Sequence, residues 1–384
     1  MKLRRTLGPM LVAAAVAMSG LLPAQTGPKK ETGDTVARPK PKPADEAAPA
    51  KPPEAQGEKI PSKLQKKPGE KAEAGQPTFR SDTLTVSVDV AVLDNRGRFI
   101  PGIPAGNFRI MEDGVQQKVA GFTTGESPIT LAMVIEFSNL YQQYWSYGWQ
   151  ETLTACYGFL QTLKPEDTVA VVAFDMRSEI LSDFSTNRQD TYEAMSRLRI
   201  PAFSESNLYD ALTSVADRMS DIEGRKAILY IGSGMDTFSK ITFDVTRRKL
   251  QTASVPIYAL GTLQAMREYL DSQGYMGPIQ RLDFLQADNQ LRTFAKETGG
   301  QAWFPRFFGE YPGIFRQISE ALRNTYSLSY QPTNTARDGK FRKIKVDLVD
   351  PRTNVPLKVT DEKGKAMKYT VIAKTGYQAP REVE

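Results

Sequence analysis

Thr130-Leu-Ala-Met-Val-Ile-Glu136-Phe-Ser-Asn-Leu140 is the stretch on which the reading of the fold turns. Leu131 to Ile135 is continuously apolar, as a central strand buried on both faces requires. The apolar positions Trp145, Trp149, Leu153, Cys156, Leu160 and Leu163 then recur at three- and four-residue intervals, the spacing of an amphipathic helix. Downstream, Thr168–Phe174 reads as a strand, Glu179–Phe184 as an edge strand, and 187–198 and 208–220 as helices. Further strands are expected at Lys226–Ile231, Val255–Leu260 and Ala302–Phe304, with helices near 242–253, 281–298 and 311–324. Strand and helix alternate throughout, which predicts an α/β fold: a doubly wound, mostly parallel sheet covered by helices on both sides.

Outward from this core the period changes to two. Leu84, Val86, Val88, Val90 and Val92 alternate with Thr85, Ser87, Asp89 and Ala91, the pattern of a strand with one buried face. A turn at Asp94-Asn-Arg-Gly97 follows, and Glu112-Asp-Gly114 reads as a hairpin turn before a run ending at Val119 to Phe122. After Asn324 the alternation returns in Tyr326, Leu328 and Tyr330, in Ile344, Val346 and Leu348, and from Tyr369 to Ala373. Neither end is large enough for a core of its own. The expectation is one small β-sandwich made of the N-terminal (78–127) and C-terminal (326–384) segments, with the α/β domain (128–325) inserted in it.

Residues 1–24, with Lys2, Arg4 and Arg5 ahead of the apolar stretch Leu7–Leu22, read as a secretory signal peptide cleaved after Ala24. Gly20 and Ser19 interrupt the stretch, which makes a retained membrane anchor the weaker alternative. Residues 25–77 are rich in Pro, Lys, Glu and Ala, as in Ala37-Arg-Pro-Lys-Pro-Lys-Pro43, and cannot bury enough surface to offset ordering entropy. They are expected to be a disordered, extended linker. The net charge of +6 resides here too. Of 50 basic and 44 acidic residues, 14 basic and 8 acidic lie in 1–77, leaving 36 of each in 78–384. A neutral folded part gives no support to a nucleic-acid partner.

The lone cysteine, Cys156, falls on the helical stripe and reads as a small buried apolar residue, the alternative being an exposed thiol that pairs with another chain. The chain has no histidine, which excludes Ser-His-Asp and Cys-His catalysis and any His-bearing zinc site. Ser-Lys chemistry or paired carboxylates remain open to a hydrolase-type enzyme, but no nucleophile elbow, glycine-rich phosphate loop or metal-hydrolase spacing occurs.

In a doubly wound sheet the ligand site lies outside the carboxyl ends of the strands, where the strand order reverses. The loops to inspect are Glu136-Phe-Ser-Asn-Leu140, Ser204-Glu-Ser-Asn-Leu-Tyr-Asp-Ala211 and Gly232-Ser-Gly-Met-Asp-Thr237. At this spacing they resemble the metal-ion-dependent adhesion site of von Willebrand factor A-type domains, which is built from Asp-x-Ser-x-Ser, a Thr and an Asp. Here Glu136 replaces the first Asp, Ser138 matches the first Ser, and Leu140 stands in place of the second. Ser206 replaces the Thr and Ser233 the third-loop Asp. Gly234-Met-Asp-Thr-Phe-Ser-Lys240, Asp338-Gly-Lys-Phe-Arg-Lys-Ile-Lys-Val346 and Gly376-Tyr377 resemble, more particularly, exported A-domain-related proteins abundant in Acidobacteria.

The resemblance implies a Rossmann-like domain whose degenerate adhesion site is formed by Glu136, Ser138, Ser206 and Ser233. A divalent ion needs a nearly octahedral oxygen shell, usually with one or two carboxylates. Glu136 is the single carboxylate left at the matched positions, so no cofactor is expected beyond weak Mg²⁺ or Mn²⁺ binding at Glu136, Ser138, Ser206 and Asp236, or Asp175, if the loops rearrange. The plainer alternatives are that Ser206 is a helix N-cap and that Ser138 satisfies loop backbone donors. Trp145 and Trp149 fit the buried stripe, whereas Tyr141, Tyr144 and Tyr147 fall off it and are candidates for an exposed contact surface. The function expected is an exported, periplasmic or secreted module that binds a protein or another envelope macromolecule in an adhesion or scaffold role. An enzyme and a purely structural envelope component are the alternatives.

Overall fold

The structure is a computed structural model that describes residues 84–125, 127–138, 153–154, 156–198, 203–360 and 364–381. The elements run β1 (Val86–Asp94), β2 (Phe108–Glu112), β3 (Val115–Gln117), β4 (Val119–Thr124), β5 (Ile129–Glu136), a helical stretch α1 (156–160), β6 (Thr168–Phe174) and β7 (Ser178–Ser185). They continue through α2 (Arg188–Ser196), α3 (Leu208–Ser220), β8 (Arg225–Gly232), α4 (Phe243–Ala253), β9 (Ile257–Gly261), α5 (Gln264–Ser272), α6 (Pro278–Thr298), β10 (Ala302–Trp303) and α7 (Tyr311–Arg323). The last strands are β11 (Tyr326–Tyr330), β12 (Phe341–Leu348), β13 (Val359–Thr360), β14 (Ala366–Met367), β15 (Tyr369–Ala373) and β16 (Gly376–Gln378).

Six strands form the central sheet in the order β10-β9-β8-β5-β6-β7, parallel except for the antiparallel edge strand β7. From β5 the chain builds first to one side, then returns through β8 to the other, so the order reverses between β5 and β8 as in doubly wound sheets. The apolar run of β5 is divided between two cores by strand alternation. Ile129, Leu131, Met133 and Ile135 face Cys156, Phe159, Phe315 and Ile318, while Ala132 and Val134 face Leu208, Leu212, Leu291 and Phe294. Cys156 is fully buried, and desolvation pushes its thiol up to about 12.

The terminal segments form the expected sandwich. One sheet has the order β15-β1-β11-β4 and the other β16-β12-β2-β3, and Val88, Val90, Ile110, Tyr326, Leu328 and Ile344 meet in a common core. The β2–β3 turn places Asp113 (φ 47°) and Gly114 (φ 84°) both at positive φ, the backbone that a two-residue hairpin of matching twist demands. A buried ion pair closes the base of the α/β domain. The Asp167 carboxylate accepts from Arg323 Nη2 at 2.7 Å, from Ile129 N at 3.0 Å and from Lys164 N at 2.7 Å, tying α7 to the start of β5.

Candidate functional site

Glu136 ends β5 and Ser233 follows β8, so the two flank the crevice where the strand order reverses. The Glu136 side chain spans that crevice. Its Oε2 accepts from Ser233 N and Ser233 Oγ, each at 2.6 Å, and from the Tyr230 hydroxyl at 3.1 Å. Its Oε1 accepts from Ser138 Oγ at 2.8 Å. The Tyr230 hydroxyl in turn accepts from Gly234 N at 2.8 Å, and Ser233 Oγ from Met235 N at 3.0 Å. Burial pushes the Glu136 carboxyl above its ordinary value in spite of these bonds from Ser233, Ser138 and Tyr230. Burial, with Glu136 alongside, drives the Tyr230 phenol far up.

Gly232 makes this geometry possible, because the Glu136 side chain occupies the space next to its Cα. Gly234 has φ +78°, and a Cβ there would meet Leu291 at 2.7 Å and the Ala287 carbonyl oxygen at 3.0 Å. The third loop is thus pressed against α6, where Gln290 donates to the Gly234 carbonyl and Tyr209 OH donates to Gln290 Oε1 at 2.7 Å.

Ser206, Ser138 and Ser233 are all buried, together with Glu136. Ser206 does not join the carboxylate network. Its backbone N donates to Thr237 Oγ1 at 2.8 Å and its carbonyl accepts from Thr237 N and Phe238 N, while its hydroxyl is buried without a hydrogen-bond partner. Nor does Ser206 cap α3. Asn207 occupies the cap position with its amide turned to the Met176 carbonyl at 3.1 Å, and the first-turn donors are met from the third loop instead. Ser239 Oγ accepts from Tyr209 N at 3.1 Å and from Asp210 N at 3.2 Å, and Asp236 Oδ1 accepts from Tyr209 N at 3.2 Å. Ser239 also donates to Asp236 at 2.5 Å, so Asp236 is committed to the helix start. Asp175 accepts from Arg177 N at 2.9 Å. Among the described residues no three His, Cys, Asp or Glu side chains come together. Exposed at this edge are Phe203, just before the second loop, and Phe238, just after the third. Leu140, Tyr141, Tyr144, Trp145, Tyr147 and Trp149 lie outside the described residues.

Tyr230, Gly232, Ser239 and Gln290 were not singled out in the sequence. A tyrosine two residues before a glycine at the end of an otherwise apolar strand was the available signal for the first two.

No family model matches the chain, and no curated protein matches it. Solved structures do match. The chain is similar to von Willebrand factor A-type domains. One is the von Willebrand factor type A protein from Catenulispora acidiphila, 12% identical over 78% of this chain and 75% of that one, with a TM-score of 0.39. Another is the vWF domain of the type V pili tip protein Mfa5 from Porphyromonas gingivalis, 12% identical over 51% and 95%, with a TM-score of 0.40. Proximal thread matrix protein 1 from the mussel byssus matches at 12% identity over 55% of this chain, with a TM-score of 0.41, and the match spans about half, 51%, of the mussel protein.

Proposed function

We propose that the chain is an exported, periplasmic or secreted, non-enzymatic A-type module in an adhesion or scaffold role. It docks a protein or another envelope macromolecule on the edge carrying the three loops, without a divalent ion. The observation that carries this reading is the closed network on Glu136. All four groups around the carboxylate are donors aimed at it, so both its oxygens are engaged by the protein's own hydroxyls and a backbone N–H. A hard cation would have to displace these donors and then find the rest of its shell in neutral hydroxyls, which does not fit a divalent site. In this reading Glu136, Ser138 and Ser233 form the floor that joins the first and third loops, and Ser206 lies beneath the second.

The contact surface is then made by what projects from the floor. Phe203 is 38% and Phe238 53% exposed, and aromatic side chains that bury area at low entropic cost are the usual anchors of an interface. Tyr141, Tyr144 and Tyr147 extend the same surface in this proposal. Neither Ser138 nor Ser233 suits a nucleophile, since both residues are buried away from any substrate.

Photo-cross-linking in the native envelope tests the reading. A photoreactive residue at position 238 should yield one reproducible adduct, unchanged by EDTA, and the same residue at exposed Val115 in the sandwich should not. An adduct at 238 that disappears with EDTA, or equal labelling from 115, would overturn it.

A further inference from the structure

A second site lies far along the chain from the three loops, where β12 and β15 diverge. β12 pairs with β2 over Ile344–Leu348, but on its other side it pairs with β16 only through Phe341–Lys343. Past that point the chain crosses from one sheet of the sandwich to the other, from β15 to β16. The gap is pinned at one end by Ile344 N donating to the Thr375 carbonyl at 2.8 Å and at the other by Leu357 N donating to the Leu348 carbonyl at 3.0 Å. Since Ile344 and Leu348 direct backbone groups into the gap, Val346 between them does so as well by strand alternation. Facing it, Val371 pairs with Val92, whose carbonyl is turned the other way to accept from Ile100 N at 2.8 Å. Val371 therefore also points its N–H and C=O into the gap. The two strand edges and the C-terminal half of α6 enclose a cleft of about 900 Å³, within the size range of ligand sites.

The charge around this cleft is one-sided. Arg109, Lys345 and Lys374 line it from the sandwich and Arg292 and Lys296 from α6, against one acid, Asp347. Asp347 is already held by Arg109 at 3.3 Å and Lys345 at 3.0 Å. Arg109 Nε is buried with no hydrogen-bond partner, and Arg292 and Lys296 make no ion pair among the described residues. Arg292 lies over the Phe304 ring, 4.0 Å from its centroid. Like charges converging on a cleft repel unless an anion enters, and unpaired strand edges recruit an extended backbone.

We propose that this cleft binds an extended, acidic segment of polypeptide, its backbone pairing with the free edges at Val346 and Val371 and its carboxylates meeting Arg109, Lys345, Arg292 and Lys296. The edges are what favour a peptide over a free anion, which would use the cations and leave Val346 and Val371 unpaired.

Fluorescence anisotropy with the full chain tests the assignment. The probes are a labelled octapeptide of alternating Glu and Val, a Lys-Val counterpart, and a Glu-Val peptide N-methylated at alternate residues. The Glu-Val peptide should bind saturably and weaken with salt, the Lys-Val peptide should not bind, and N-methylation should weaken binding about tenfold or more because it removes edge pairing. Arg292 and Lys296 are exposed, so the double charge reversal R292E/K296E should keep the melting temperature while lowering affinity about tenfold or more. Phe238→Ala should leave this binding unchanged, which separates it from partner docking at the three loops. Equal binding of the N-methylated peptide, full competition by inorganic phosphate, or no effect of R292E/K296E would each overturn the proposal.

Discussion

Gly232 and Glu136 share one space at the head of the central sheet: a Cβ at position 232 would sit 2.6 Å from both the Cβ and Oε2 of Glu136, and 2.5 Å from the Tyr230 hydroxyl. The longer acid at position 136 is therefore matched by the absence of a side chain on the neighbouring strand. Gly232→Ala should push the carboxylate off its donors and lower stability by about 1–3 kcal/mol, the usual effect of overpacking a closed interior. Urea unfolding would show this as a lower midpoint at an unchanged slope. An unshifted midpoint would mean that the carboxylate is not held as described.

Burial holds the Glu136 carboxyl above its ordinary value of 4.5, so the folded chain binds this proton more tightly than the unfolded chain does. The stability gained from that proton is complete below 4.5 and is lost as pH climbs through the raised folded value. Glu136→Gln keeps an acceptor for Ser233 and Tyr230 and can donate to Ser138 Oγ, whose hydroxyl is free to rotate. Denaturation across the acid-to-neutral range should therefore show wild type losing stability relative to Glu136→Gln as pH rises. A constant difference between the two would contradict the raised carboxyl.

The first turn of α3 offers a sharper separation of residue roles. Ser239→Ala removes the acceptor shared by Tyr209 N and Asp210 N and should cost about 1 kcal/mol, the usual loss for an N-cap. Ser206→Ala deletes a buried hydroxyl that has no partner and should be neutral or stabilising. The reverse order of effects in thermal unfolding would restore Ser206 as the cap.

Why the fold could be read from the chain and the cap could not follows from where each signal resides. Burial on two faces leaves a continuous apolar run, so the expected Thr168–Phe174 strand coincides with β6. The antiparallel edge strand carries half-polar residues, and the expected Glu179–Phe184 falls within β7. Helix α5 was missed because Met266 is its single buried residue, too little for a stripe, and α6 begins before the expected 281 because exposed Ile279 and Leu282 break the apolar period. A cap is sought next to the helix it serves, which made Ser206 a candidate for it beside its expected place in the adhesion site. The cap is non-local, since Ser239 reaches α3 only after β8 has been laid beside β5. Tyr230 was legible only as core, and its hydroxyl acquires a role from Glu136 in the adjacent strand.

Arg323→Leu would leave the Asp167 carboxylate buried beside two backbone donors but without its ion-pair partner, with Arg188, which donates to the Asp167 carbonyl at 2.9 Å, as the positive charge that remains nearby. Removing one partner of a buried ion pair costs about 3–5 kcal/mol, whereas an exposed pair costs about 0–1. The exposed pair Arg281–Asp271 is the internal control, and Arg281→Leu should leave the melting temperature nearly unchanged. Equal effects of the two substitutions would show that the Asp167 site is open to water.

A divalent ion gives up tightly held water only for a shell rich in carboxylate and carbonyl oxygen. Here the Glu136 oxygens are engaged by four donors, and Asp236 is occupied with Ser239 and Tyr209 N at the start of α3. Calorimetric titration of the wild-type chain with Mg²⁺ or Mn²⁺ should give a weak or absent signal. Ser233→Asp replaces a hydroxyl donor 2.6 Å from Oε2 with a second carboxylate, and the repulsion between the two acids is relieved only by a proton or a cation. Combined with Leu140→Ser, which adds one more oxygen to the first loop, it should create measurable binding that Glu136→Ala then abolishes. Micromolar affinity in the unmodified chain, lost on Glu136→Ala, would instead establish a working metal site and sink the ion-independent reading.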